Sequence, residues 1–153
     1  MDLNESVKLL ARNLEKILDE NKNKRVIVAG TTCTGKSTFL KYINNAYDMD
    51  ELVFLTLSKN EEEYVCQTPW TEKIGKTMNK LVKERVKVNC GQPVFGTVIL
   101  DCDLIIYLRI SDRLLKKRTI LRNHSYYDAK NMQRYIEKEI KNSGIKRIEF
   151  NIE

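Results

Sequence analysis

Residues 30–37 read Gly30-Thr31-Thr32-Cys33-Thr34-Gly35-Lys36-Ser37, two glycines five positions apart followed at once by a lysine and a hydroxyl. The glycines let the main chain curl until successive N–H groups face one point. A helix starting there adds the positive end of its dipole. Such a cradle grips nucleotide phosphates, so Gly30 to Thr38 form the expected nucleotide site. Lys36 is then placed to bridge the β- and γ-phosphates, and the Ser37 hydroxyl to ligate Mg²⁺. A glycine-rich turn that only caps a helix would not need a lysine directly after the second glycine. Cys33 sits within the loop at a helix N-terminus, a setting that lowers a thiol pKa. Its oxidation or alkylation is expected to block nucleotide binding.

Positioning such a loop takes a strand before it and a helix after it, and the flanking residues suit both. Arg25 to Ala29 form a β-branched run that reads as a buried parallel strand, and residues 36–46 carry Phe39, Leu40 and Ile43 on one helical face. Leu3, Val7, Leu10, Leu14 and Ile17 recur at spacings of four and three, predicting an N-terminal amphipathic helix over 3–20 within a segment 1–22. LVFLTL at 52–57 reads as a second strand, 71–88 as a helix and LIIYL at 104–108 as another strand. Helices over 111–122 and 128–141 and a half-buried strand over 145–152 complete the pattern. Strands alternating with helices predict an α/β fold: a three-layer sandwich around a parallel sheet of about five strands.

On the loop motif the chain resembles the P-loop NTPases. Asp103-Leu104-Ile105-Ile106-Tyr107-Leu108-Arg109-Ile110-Ser111-Asp112 is similar to a strand-to-helix segment of the small kinases, the branch with the adenylate, uridine and deoxynucleoside kinases. Leu114 to Arg122 (LLKKRTILR) resembles the helix leading into their lid, here about 113–130. The resemblance implies a single nucleotide kinase-like domain over 1–153, with ATP or GTP and Mg²⁺ as cofactors and lid arginines reaching the transferring phosphates. Arg118 lies on the same helical stripe as Leu114 and Leu121, and an inward guanidinium is costly unless an anion meets it. A transferring phosphoryl group or a structural carboxylate would serve. Arg122 follows one turn later; Arg109 and Arg113 are weaker candidates. In the resembled kinases a loop and helix after the last strand help hold adenine. This sequence closes at Glu153, and its N-terminal helix is expected to fill that packing position.

The same kinases place an acid at the C-terminal end of a core strand to hold Mg²⁺ or activate the acceptor. Val98 to Asp101 looks like such a segment, making Asp101 the candidate metal ligand beside Ser37. Yet three residues separate Leu100 from Leu104, too few for a parallel crossover of a dozen or more. Residues 104–109 are therefore taken as the sheet strand, and 94–100 as a loop, hairpin arm or extension. Glu61-Glu62-Glu63 reads as an acceptor-side carboxylate or a solvated charge run. Thr68-Pro69-Trp70-Thr71-Glu72 could sandwich a base or sugar, or anchor a helix start.

Composition bounds the alternatives. The 153 residues carry 27 Lys+Arg against 21 Asp+Glu, a net charge of +6 that favours anionic partners without choosing among them. No apolar run reaches bilayer length, and the acidic start argues against a secretory signal. Cys33, Cys66, Cys90 and Cys102 have no CxxC spacing and read as reduced thiols of a cytoplasmic protein. A single histidine, His124, excludes a His-rich metal site. The leading expectation is a phosphotransferase acting on a nucleoside, nucleotide or other small metabolite. The alternative is an ATPase or regulatory nucleotide-binding module with no acceptor. No NKxD motif follows the loop, which disfavours a regulatory GTPase. Nucleic-acid binding through Lys73, Lys76, Lys80, Lys83, Arg85 and Lys87, with Tyr126-Tyr127 stacking on bases, is a third and weaker reading.

Overall fold

The structure, a computed structural model, describes residues 3–153, with side chains from Glu5 onward; the Leu3 side chain of the expected apolar stripe lies outside the described residues. Five strands form one parallel sheet in the order β2-β3-β1-β4-β5. They are β1 (Val26–Ala29), β2 (Tyr47–Asp48), β3 (Val94–Gly96), β4 (Leu104–Arg109) and β5 (Lys146–Asn151). Seven helices join them: α1 (Leu3–Glu20), α2 (Lys36–Tyr42), α3 (Met49–Phe54), α4 (Lys59–Val65), α5 (Glu72–Arg85), α6 (Asp112–Leu121) and α7 (Tyr126–Ser143). No helix among the described residues is long and apolar enough to cross a membrane.

Strand alternation splits the core in two. Ile27, Ala29, Val94, Ile105 and Tyr107 face α3, α4, α5 and α7, where Met49, Val53, Ile74, Met78 and Ile136 are buried. Val26, Val28, Phe95, Ile106 and Leu108 face the other way, onto α1, α2 and α6 through Leu14, Phe39 and Leu115. The expected amphipathic N-terminal helix is therefore a core helix, with Ala11, Leu14 and Leu18 buried. The central strands β1 and β4 are buried on both faces. At one edge β2 is only two residues long, and at the other β5 exposes Lys146, Arg147 and Glu149. Short or charged edges discourage pairing with another chain.

Two expectations are corrected. Residues 52–57 are not a strand: they hold the end of α3 and the turn after it, and the edge strand is Tyr47–Asp48. A short apolar run is ambiguous by pattern alone. Here the Asp48 side chain accepts from Asp50 N at 2.9 Å as an N-cap, Asp50 and Glu51 occupy the first turn, and Met49 and Val53 share a buried face. The second correction concerns residues 94–100, of which Val94–Gly96 is a sheet strand beside β1. No helix is needed between β3 and β4. Gly96 lies opposite Ala29 and Leu104 opposite Val26, so the chain steps back about 10 Å and across two strand spacings of ~4.8 Å. Residues 97–103, extended, reach roughly 25 Å. They bury Val98, Leu100 and Cys102 on the sheet and leave Asp101 and Asp103 exposed, so they cover the sheet as a helix otherwise would.

Candidate phosphate loop and adjoining cavities

All five strands end on the same side, and β1 is the central one, with β3 and β4 on either hand. Its C-terminal end is the point where ligands bind in open α/β sheets. Residues 30–35 leave β1 there and enter α2 at Lys36. Cys33 (φ 66°) and Gly35 (φ 98°) both adopt left-handed backbone, which rolls the chain into a concave turn. Thr34 Oγ1 donates to Thr31 O at 2.8 Å, and Thr31 Oγ1 donates to Ala129 O on α7 at 2.6 Å. The loop is thus closed on itself and tied to the helix behind it.

Lys36 Nζ turns back over the loop and donates to the carbonyls of Gly30 and Thr31, the latter at 2.7 Å. Burial pulls its pKa down to about 8, against the opposing charges of Asp50, Asp48 and Cys33. Ser37 is exposed at the start of α2. Cys33 behaves differently from expectation. Its side chain is buried in the core under the loop, so reagents reach it poorly, whereas Cys66 and Cys90 are exposed.

Arg118 is half-buried on α6, and its Nη1 donates to Cys33 O at 3.1 Å. Among the described residues no carboxylate pairs with it or with Arg122. Burial and the neighbouring Arg122 charge both lower the Arg118 pKa. Two cations that repel each other beside a phosphate-type loop gain when an anion arrives. Arg118 and Arg122 also line a cavity of about 460 Å³ that includes Gly35 and Thr38 of the loop side and Val7 and Leu10 of α1. The lid-like segment is a helical hairpin of α6 and α7, held by Lys130 and Asp112 at 2.6 Å. His124 is exposed in its turn.

Asp101 is not part of this site. It lies at the opposite end of the sheet, where Arg25 Nη1 reaches it at 2.9 Å and Arg25 Nη2 reaches Asp103 at 3.0 Å. The acids whose charges reach the loop are Asp48 and Asp50, since each raises the pKa of Lys36. The Asp50 pKa is raised by burial and by Asp48, with Lys36 opposing. Asp48-Met49-Asp50 is visible in the sequence, but placing the strand at 52–57 puts both acids at its wrong end. With the strand at 47–48 they stand at its C-terminal end, the side of the sheet on which the loop leaves β1.

Mg²⁺ is commonly held by one or two carboxylates and substrate phosphates rather than by a protein cage. No group of three or more potential protein ligands occurs among the described residues, and Ser37 with Asp48, whose charge acts on the adjoining Lys36, fits the lighter arrangement. Family models and curated proteins give no match to this chain.

A second cavity, of about 440 Å³, opens on the far side of Asp50 and is walled by Phe54, Trp70, Met78 and Tyr135. Thr71 caps α5 by accepting from Ile74 N at 3.2 Å, so the Trp70 segment does anchor a helix start, yet Trp70 itself is left to this cavity. Glu61 belongs elsewhere. It completes a capping box with Ser58 and makes a two-pronged pair with Arg85 at 2.8 and 2.6 Å. On α5, Lys76, Lys80 and Lys83 lie within 4.0 Å of Glu72, Glu84 and Glu139. With Arg85 held by Glu61, that face is a set of ion pairs more than a bare cationic strip.

Proposed function

We propose that this chain is a P-loop phosphotransferase that transfers the γ-phosphoryl group of Mg·ATP or Mg·GTP to a small acceptor. One observation carries the reading. Asp50 lines the second cavity, and its charge is felt at Lys36 of the loop, so one carboxylate is linked both to the candidate phosphate loop and to an acceptor-sized space.

In this reading the 30–37 loop and Lys36 hold the β- and γ-phosphates, with Ser37 and Asp48 toward the metal. Mg²⁺, when bound, neutralises charge on the phosphates. Lys36 exchanges its carbonyl partners for phosphate oxygens, a stronger charge-assisted bond. Arg118 and Arg122 close on the transferring group from α6. Asp50 accepts the acceptor hydroxyl proton; its raised pKa suits a base closer to neutrality. Oxygen attacks phosphorus, the bond to the β-phosphate bridging oxygen breaks, and the diphosphate leaves with that electron pair.

Nucleotide turnover measured with and without a panel of small alcohols tests this directly. Stimulation with formation of a phosphorylated acceptor is expected. Hydrolysis indifferent to every acceptor would instead favour an ATPase or regulatory module.

A further inference from the structure

We infer that the second cavity takes an uncharged alcohol bearing a planar ring, the chemistry of a nucleoside, and rejects acceptors that already carry phosphate. This rests on the phosphotransferase reading for its chemistry but on separate residues for its selectivity.

The walls are aromatic from three directions. Phe54 comes from α3, Trp70 from the segment before α5, and Tyr135 from α7, with relative exposures of 36%, 56% and 43%. Three large rings converging on one open cleft leave apolar faces wet unless a flat ligand covers them. Their placement is supported from behind. Trp70 Nε1 lies only 3.3 Å from where a Cβ on Gly75 would stand, so the indole rests over a glycine in the interior of α5. Glycine there weakens the helix relative to alanine. It makes room for the ring.

The polar groups define the rest. Asn79 and Thr97 reach the cavity, and neither side chain has a hydrogen-bond partner among the described residues. Asn79 offers both a donor and an acceptor, which suits the edge of a base. Thr97 follows the C-terminal end of β3, on the loop side of the sheet. Among the described residues the only carboxylic acid on the lining is Asp50, and no lysine, arginine or histidine lines the cavity. The contrast with the donor side is direct: the cavity beside the loop has Lys117, Arg118 and Arg122. A phosphate dianion in the acceptor cavity would face Asp50 with no lining cation to offset it. Like charges held close together in a partly enclosed cleft repel strongly. A volume of about 440 Å³ lies within the range of about 300–1,000 Å³ typical of small-molecule sites.

Trp70 is the only tryptophan and reports on the cavity by its fluorescence. The full chain is titrated with adenosine, guanosine, cytidine, uridine and thymidine, and with the matching 5′-monophosphates, while calorimetry follows the same additions. At least one nucleoside should change Trp70 emission and bind at least about tenfold more tightly than its monophosphate, a ratio that is about 1.4 kcal/mol. Lys36→Ala should leave that binding intact while weakening Mg·ATP and Mg·GTP uptake roughly 10–100-fold. Asp50→Asn, which keeps the shape and removes the charge, should narrow the nucleoside preference. Monophosphates binding as tightly as nucleosides to wild type would overturn the proposal. Binding of Mg·ATP or Mg·GTP with no nucleoside binding would overturn it too, leaving the phosphate loop standing. Nucleoside binding at Trp70 without triphosphate uptake would overturn the phosphotransferase reading alone.

Discussion

Arg118 donates from Nη1 to the main-chain carbonyl of Cys33 over 3.1 Å, tying the helix after β4 to the loop after β1. A charged donor that meets only a carbonyl, with Arg122 as a like-charged neighbour, is an unfinished interaction. Phosphate oxygens would complete it.

Arg118→Ala should therefore lower kcat far more than it raises KM for the nucleotide. Arginines in comparable positions contribute about 10³–10⁵ in rate. Arg118→Lys should recover little, because a point charge cannot reproduce the planar fork. Steady-state kinetics on both variants check this, with circular dichroism confirming the fold.

Asp50→Asn should reduce turnover by about 10²–10⁴ while leaving nucleotide binding largely intact. The raised Asp50 pKa sets the pH dependence: the base works when ionised, so the rate should climb with pH through a limb above the ordinary aspartate range. A kcat–pH profile for wild type and variant separates that limb from any other.

Lys36 gives the opposite limb. Only its protonated form attracts phosphate, and in the free protein its pKa is about 8. Nucleotide affinity should be flat below that pH and fall above it, by up to about tenfold per pH unit, with proton uptake on binding. Stability runs the other way. The unfolded chain holds the Lys36 proton to higher pH, so this group's contribution to stability rises between about pH 8 and the ordinary lysine value. Calorimetry in buffers of different ionisation enthalpy measures the proton uptake.

Glu61 bears on acid stability and not on chemistry. Its hydrogen bonds from Arg85 and Ser58 bring its pKa down to about 2. The stability it contributes is complete above its unfolded pKa of about 4.5 and is lost as pH falls toward 2. Glu61→Gln should flatten the unfolding curve across that window, as urea melts at several pH values would show, without altering turnover at neutral pH.

The loop was legible in sequence because its chemistry is local: Gly30, Gly35, Lys36 and Ser37 act through spacing and a strand-to-helix context. The buried strands and the longer helices were legible for a similar reason, since Leu104–Arg109 and Leu3–Glu20 repeat their pattern over enough residues to be unambiguous. Arg118 was expected near the phosphates from the likeness to a lid helix; the apolar stripe that was to turn it inward holds only in part, because Leu121 is exposed. What failed was short or non-local. Tyr47–Asp48 is too brief to register as a strand, and Leu52 to Leu57 imitates one, which hid the Asp48 and Asp50 pair. The β3-to-β4 connection defeats a length rule that presumes a helix, because residues 97–103 cross the sheet extended. Asp101 follows apolar residues as a metal-binding acid would, and only the path of the chain shows that it belongs with Arg25. Of the aromatic cavity only Trp70 was singled out from the sequence, because Phe54 and Tyr135 lie far from it along the chain.

Calorimetric titration of Mg·ATP and Mg·GTP into wild type and Lys36→Ala bears most directly on the loop as a triphosphate site. Saturable uptake of at least one nucleotide by wild type is predicted, weakened in the variant by roughly 10–100-fold for loss of a charged hydrogen bond of about 1.5–3 kcal/mol. Folded wild-type protein that takes up neither nucleotide, or a variant that binds as well as wild type, would contradict it.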